Sequence, residues 1–214
     1  MVNKKKKVTI AGAAGQIEAL LEEGQVDGLF SGGDYVAVIC HPHPLYGGTM
    51  DNKVVSTLAR IYRELGITSL RFNFRGVGAS EGEHDEARGE VDDLILVSEW
   101  LLAQYPGSQL LLAGFSFGSA IASAASERLA VAQMILIAPP VMRYSYAPTG
   151  AFACSVTVVL GGQDELVETE SVLGWLASLD SPVEPILIPE ASHFFHGQLN
   201  TLREKLGAVL SQCL

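Results

Sequence analysis

The stretch that decides the fold is QLLLAGFSFGSAIASAAS, Gln109 to Ser126. Its first seven residues, Gln109 to Phe115, read as a buried strand, and FGSAIASAASERLA, Phe117 to Ala130, as a helix rich in small side chains. Between them Gly114, Ser116 and Gly118 spell a Gly-x-Ser-x-Gly pattern, set where a strand must turn abruptly into a helix. Such a turn holds the serine in a strained backbone with its hydroxyl exposed. Glycines flank it because a Cβ there would strike the neighbouring strand or helix. A second match, GASEG at Gly78 to Gly82, lacks that setting. With 22 glycines in 214 residues, about 0.2 accidental matches to the pattern are expected, so context decides between the two. Ser80 sits in RGVGASEGEHDEARGE, which wanders away from a strand ending near Phe74 and reads as a surface loop. Ser116 is therefore the candidate nucleophile, against the plainer reading of a helix-capping serine.

Outward from this point, short β-rich runs alternate with helical patterns. YVAVIC (Tyr35 to Cys40), TSLRFNF (Thr68 to Phe74), AQMILIA (Ala132 to Ala138), SVTVVLGG (Ser155 to Gly162) and EPILIPE (Glu184 to Glu190) read as strands. Asp51 to Leu65 carries apolar residues at helical spacing and is stopped by Gly66. Glu86 to Tyr105, Glu168 to Asp180 and Leu199 to Leu214 read as further helices. Near the start, Lys6 to Gly12 and Gln16 to Gly24 suit an antiparallel pair at a sheet edge, though the second suits a short helix equally. The βαβα alternation predicts a single α/β domain over residues 1–214. Its sheet should be mostly parallel, with helices on both faces and chemistry in the loops after the strands.

Composition narrows the function. A net charge of −10 excludes a nucleic-acid surface, and Lys4 to Lys7 reads as a solvated lead-in to the first strand. Trp100 to Ser126 carries no charge, but Pro106, Gly107 and Gly114 divide it into pieces too short to span a bilayer. No apolar leader follows the lysines. Cys40, Cys154 and Cys213 are widely spaced and odd in number, which suggests reduced thiols in the cytoplasm. A small-molecule substrate is the expected partner, with neither membrane nor nucleic acid, and nothing in the sequence speaks to oligomeric state.

A serine hydroxyl needs a base, and the base a carboxylate to orient it. Of the five histidines, His193 follows the strand EPILIPE directly, and His196 lies three residues on. Where such an elbow carries the nucleophile, the acid and then the histidine follow it in the chain, which favours these two over His41, His43 and His84. His193 is the better placed. Asp164, just past the strand end in VVLGGQDELV, is the candidate acid, with Glu165 adjoining it and a capping aspartate as the plainer reading.

GFSFG, GGQDELV, ASHFF and the FRGVGASEG loop resemble the motifs of the α/β-hydrolase superfamily. Within it, the chain looks like the small serine hydrolases without a lid domain, the dienelactone-hydrolase-like and esterase-like members. The resemblance covers nearly the whole length. It implies an α/β-hydrolase fold with about eight strands and no cap domain, an acyl-enzyme mechanism on an ester or thioester, and no cofactor. Asn73 stands where the family often carries aspartate. CHPHPLYGG, Cys40 to Gly48, is similar to the family's oxyanion loop. One oxyanion donor should be the amide of Phe117. The other falls to His43, Leu45 or Tyr46, because Pro42 and Pro44 have no N–H, and Leu45 is the preferred choice. A metal held by His41 and His43 lacks any further ligand at a recognisable spacing. A peptidase or acyltransferase with the same three residues, or a hydrolase-shaped binding protein, are the rival readings.

Only VMRYSYAPTGAFA and its flanks join Ala138 to Cys154, too short a connection for a cap. The site should be an open cleft walled by this segment and by His41 to Met50, with Tyr46, Met142, Tyr144 and Tyr146 as apolar contacts.

Overall fold

A computed structural model describes residues 5–181 and 183–213. Lys4 of the basic run and Leu214 of the closing helix lie outside the described residues. Among the described residues eight strands form one sheet: β1 (Lys5–Gly12), β2 (Gly15–Glu22), β3 (Tyr35–Cys40), β4 (Thr68–Phe72), β5 (Gln109–Phe115), β6 (Val131–Ile137), β7 (Ser155–Gly161) and β8 (Ile186–Ile188). Their order is β1-β2-β4-β3-β5-β6-β7-β8. β1 and β2 form an antiparallel hairpin, and β2 lies antiparallel against β4, while β3 to β8 are mutually parallel. The ambiguity over Gln16 to Gly24 is thus resolved as strand. The lysines do not merely lead into β1 but begin it, with Lys5 Nζ 3.0 Å from Glu22.

Among the described residues five α-helices accompany the sheet: α1 (Lys53–Glu64), α2 (Arg88–Gln104), α3 (Phe117–Ser126), α4 (Thr169–Ala177) and α5 (Leu199–Cys213). Strand side chains alternate between faces with a period of two, and the core divides accordingly. Val36, Val38, Leu110 and Leu112 pack with Leu94 of α2, Ile121 of α3 and Leu176 of α4. Ala37, Ile39, Leu111 and Ala113 pack on the opposite face with Leu58 of α1 and Leu206 of α5. Full burial on both sides explains why these strands read as continuous apolar runs rather than alternating ones.

Element ends depart from the sequence expectation for local reasons. α1 starts after Asn52, whose side chain accepts the Val54 N–H at 2.8 Å and caps the helix. It ends where expected, at Gly66 with φ 86°. α3 stops at Ser126, because Glu127 and Arg128 donate to carbonyls only three residues back. β8 keeps three residues, bracketed by Pro185 and Pro189, which have no N–H to give a ladder.

Candidate active site

β5 ends at Phe115 and α3 begins at Phe117, leaving Ser116 alone in the turn with φ 52° and ψ −120°. Backbone of this kind costs a residue bearing a Cβ about 1–3 kcal/mol. The surroundings enforce it. Ser116 N–H donates to Ile137 O at 2.8 Å, and a Cβ at Gly114 would stand 2.2 Å from the Gly118 carbonyl oxygen. At Gly118 a Cβ would lie 2.5 Å from the carbonyl oxygen of Cys40. Both glycines are thus required for α3 to approach β5 and the end of β3.

Asp164 follows β7 and His193 follows β8, so both arrive at the carboxyl edge where Ser116 sits. His193 Nε2 lies 3.1 Å from Ser116 Oγ, and its Nδ1 lies 2.8 Å from Asp164 Oδ2 and 3.0 Å from Oδ1. A carboxylate only accepts, so Nδ1 carries the proton and Nε2 offers its lone pair to the serine hydroxyl. His193 is only 2 % exposed. Asp164 is fixed in turn, since its Oδ1 accepts the N–H groups of Leu166 at 2.9 Å and Val167 at 2.8 Å. Those amides belong to the loop before α4, whose cap position is Glu168, so Asp164 caps no helix and stays turned to the histidine. Glu165 does something different, accepting the His193 backbone N–H at 3.1 Å. His196 is exposed and stacks on Phe194, outside this group.

Ser80 is 6 % exposed, donates to Asn73 O at 2.7 Å and accepts the Glu18 N–H at 2.9 Å. It ties the loop after β4 to the edge hairpin. Asn73 suits this place, accepting from Met50 N–H through Oδ1 and donating through Nδ2 to Glu18 Oε2.

The loop after β3 corrects the choice of Leu45. Its N–H donates to the His43 ring at 3.2 Å, its side chain is 70 % exposed, and it does not line the cleft over Ser116. Tyr46 N–H is also engaged, on His43 O at 3.1 Å. Among the described residues the amides of His43 and Phe117 meet no acceptor, and both residues line the cleft. His41 anchors the loop from beneath. Its Nδ1 donates to Pro42 O at 2.6 Å and its Nε2 accepts the Phe74 N–H at 3.1 Å. Burial pushes the His41 imidazole down to about 4, so it stays in this neutral form at ordinary pH.

The cleft has a volume of about 410 Å³ and opens to solvent between the β3–α1 loop and the β6–β7 connection. Tyr46 and Tyr144 line it as expected. Met142 instead borders an adjoining hollow, and Tyr146 is buried beneath α3 with its hydroxyl 2.7 Å from Ser119 Oγ. Three side chains escaped the sequence reading: Arg143, which lines the cleft, and the pair His84 and Glu90 beside it. His84 stacks 5.0 Å from the His43 ring and 5.8 Å from Phe117, and its Nδ1 lies 2.7 Å from the fully buried Glu90. The signal for His84 was its place after β4, at the same sheet edge as Ser116.

A family model described as the alpha/beta hydrolase fold matches residues 38–152, just over half of the chain. The chain belongs to the α/β hydrolase family. Among solved structures, an α-β serine hydrolase homologue from Coxiella burnetii is 42 % identical with a TM-score of 0.91, over 98 % of this chain and 99 % of that one. An α/β serine hydrolase without a lid from Xanthomonas campestris is 38 % identical with a TM-score of 0.89, over 97 % and 94 %. An uncharacterized protein from Rickettsia prowazekii is 34 % identical, covering 81 % of this chain and 79 % of that one. In this α/β hydrolase, too, residues 138–154 between β6 and β7 hold no helix or strand, so no lid stands over Ser116. Among the described residues no helix is long and apolar enough to cross a membrane.

Proposed function

We propose that this α/β hydrolase cleaves small esters or thioesters, carboxylesterase-like, through an acyl-enzyme on Ser116. The observation that supports this most directly is the unbroken run of hydrogen bonds from Asp164 through His193 to a serine held at φ 52°. Ser116 Oγ attacks the carbonyl carbon as its proton passes to His193 Nε2, which then gives it to the departing alcohol or thiol. Asp164 keeps the imidazole in the Nδ1–H tautomer and stabilises the cation that forms. Water repeats the sequence in reverse, breaking the acyl–Ser116 bond and releasing the acid. The amides of Phe117 and His43 are our choice of oxyanion donors, since both residues line the cleft and, among the described residues, neither amide is otherwise engaged. The reaction as drawn calls on no cofactor, and the three free cysteines suit a reducing cytoplasm.

The open cleft sets the expected range of substrate. With no lid and about 410 Å³ of space, it surrounds a short acyl group but not a long one. One methylene is worth only about 1–3 kcal/mol even in a closed pocket, so tolerance among short chains should be broad. A series of p-nitrophenyl esters from acetate to decanoate checks this. We expect kcat/KM to be highest and nearly flat through the short chains and to fall beyond them. An optimum at decanoate, or no turnover across the series, would overturn the reading.

A further inference from the structure

Arg143, in the connection after β6, lines the cleft over Ser116 and also the adjoining hollow beside Leu166 and Val167. Six other arginines, Arg60, Arg71, Arg75, Arg88, Arg128 and Arg203, lie 2.7–3.3 Å from a carboxylate. Among the described residues no carboxylate lies within ion-pair reach of Arg143, and no Asp or Glu lines the cleft. Among the described residues Arg63 also lacks an ion pair, but it stands in α1 and does not line the cleft, and Glu168 lines only the adjoining hollow. The Arg143 charge also reaches the opposite wall. Burial chiefly, then His84, hold the His43 imidazole below its ordinary value; the buried Glu90 carboxylate opposes them, and Arg143 adds a smaller push downward. Tyr46 and Tyr144 flank the same space with hydroxyls able to share an anion's lone pairs.

We infer that Arg143 is a specificity-determining residue that receives a carboxylate carried by the substrate, so that the preferred substrates are short esters bearing one free carboxyl group. This rests on the hydrolase reading above. A guanidinium offers a planar fork matched to two carboxylate oxygens, and a bound substrate covers it from water, strengthening a pair that would be weak at an open surface.

The test compares matched esters in the wild type, Arg143→Gln and Arg143→Lys. One arm puts the carboxylate on the acyl side, p-nitrophenyl hemiglutarate against p-nitrophenyl valerate. The other puts it on the leaving side, 4-carboxyphenyl butyrate against phenyl butyrate. In one arm the charged-to-neutral ratio of kcat/KM should fall about tenfold in Arg143→Gln, mainly through KM, with partial recovery in Arg143→Lys. Which arm responds tells which side of the ester faces Arg143. Binding is read apart from turnover on the Ser116→Ala chain, where hemiglutarate or 4-carboxyphenyl butyrate should bind about tenfold more tightly than its neutral match. Adding Arg143→Gln should erase that difference. Turnover with no such dependence on Arg143 in either arm overturns the inference while leaving the hydrolase reading intact. A binding preference that vanishes with Arg143→Gln, in a chain that cleaves none of the four esters, upholds the inference and overturns the hydrolase reading.

Discussion

Ser116→Ala should lower kcat toward every ester the wild type cleaves by on the order of 10⁶. The fold should survive, because alanine keeps the Cβ already accommodated at φ 52° and, among the described residues, the hydroxyl's hydrogen bond runs only to His193 Nε2. The backbone bonds of the turn, Ser116 N–H to Ile137 O and Ser119 N–H to Ser116 O, do not involve the side chain. Ser80→Ala should do the reverse. It removes one bond to Asn73 O and one from Glu18 N–H in a buried place, costing about 1–3 kcal/mol of stability while most activity remains. Steady-state kinetics beside urea unfolding of both variants separates the two serines. An active Ser116→Ala enzyme would mean that the other match, or neither, carries the reaction.

The second large effect is expected from Asp164→Asn, a loss of about 10⁴ in kcat. The amide oxygen can keep accepting the Leu166 and Val167 amides, so the loop should hold its course. What changes is the face toward His193. An amide nitrogen there repels the Nδ1–H tautomer, and the alternative tautomer turns an N–H toward Ser116 Oγ, where a lone pair is needed. The negative charge that stabilises the imidazolium is lost as well. Glu165 should give little rescue, because its carboxylate is turned to the His193 backbone N–H rather than the ring. A loss smaller than tenfold in kcat, with the unfolding midpoint unchanged, would remove Asp164 from the role given to it.

The residues that were legible in the sequence are those whose placement follows from local pattern plus topology. Ser116 is fixed by a strand, two glycines and a helix within ten residues of itself. Asp164 and His193 are far away in the chain, but each directly follows a parallel strand, and parallel strands deliver their carboxyl ends to one edge. The hydrophobic runs gave the sheet for the same reason, since burial on both faces makes them continuous. Where a choice depended on which polar group a loop atom meets, the pattern was silent. The Leu45 amide looked available until the His43 ring folded back as the cap of a short turn and took it. Tyr146 and Tyr144 are two residues apart, yet one is buried under α3 and the other faces the cleft, a matter of how an irregular segment is draped. Asn73 shows the same limit. Its value lies in an amide that accepts from Met50 and donates to Glu18, partners 23 and 55 residues away.

The central claim is that one serine in this chain is activated, and that it is Ser116. Reaction with a fluorophosphonate followed by peptide mapping tests it most directly, because such a reagent phosphonylates a serine only where a base and oxyanion donors surround it. The account predicts a single adduct per chain, carried on Ser116. No adduct at all, or an adduct on Ser80, would contradict it.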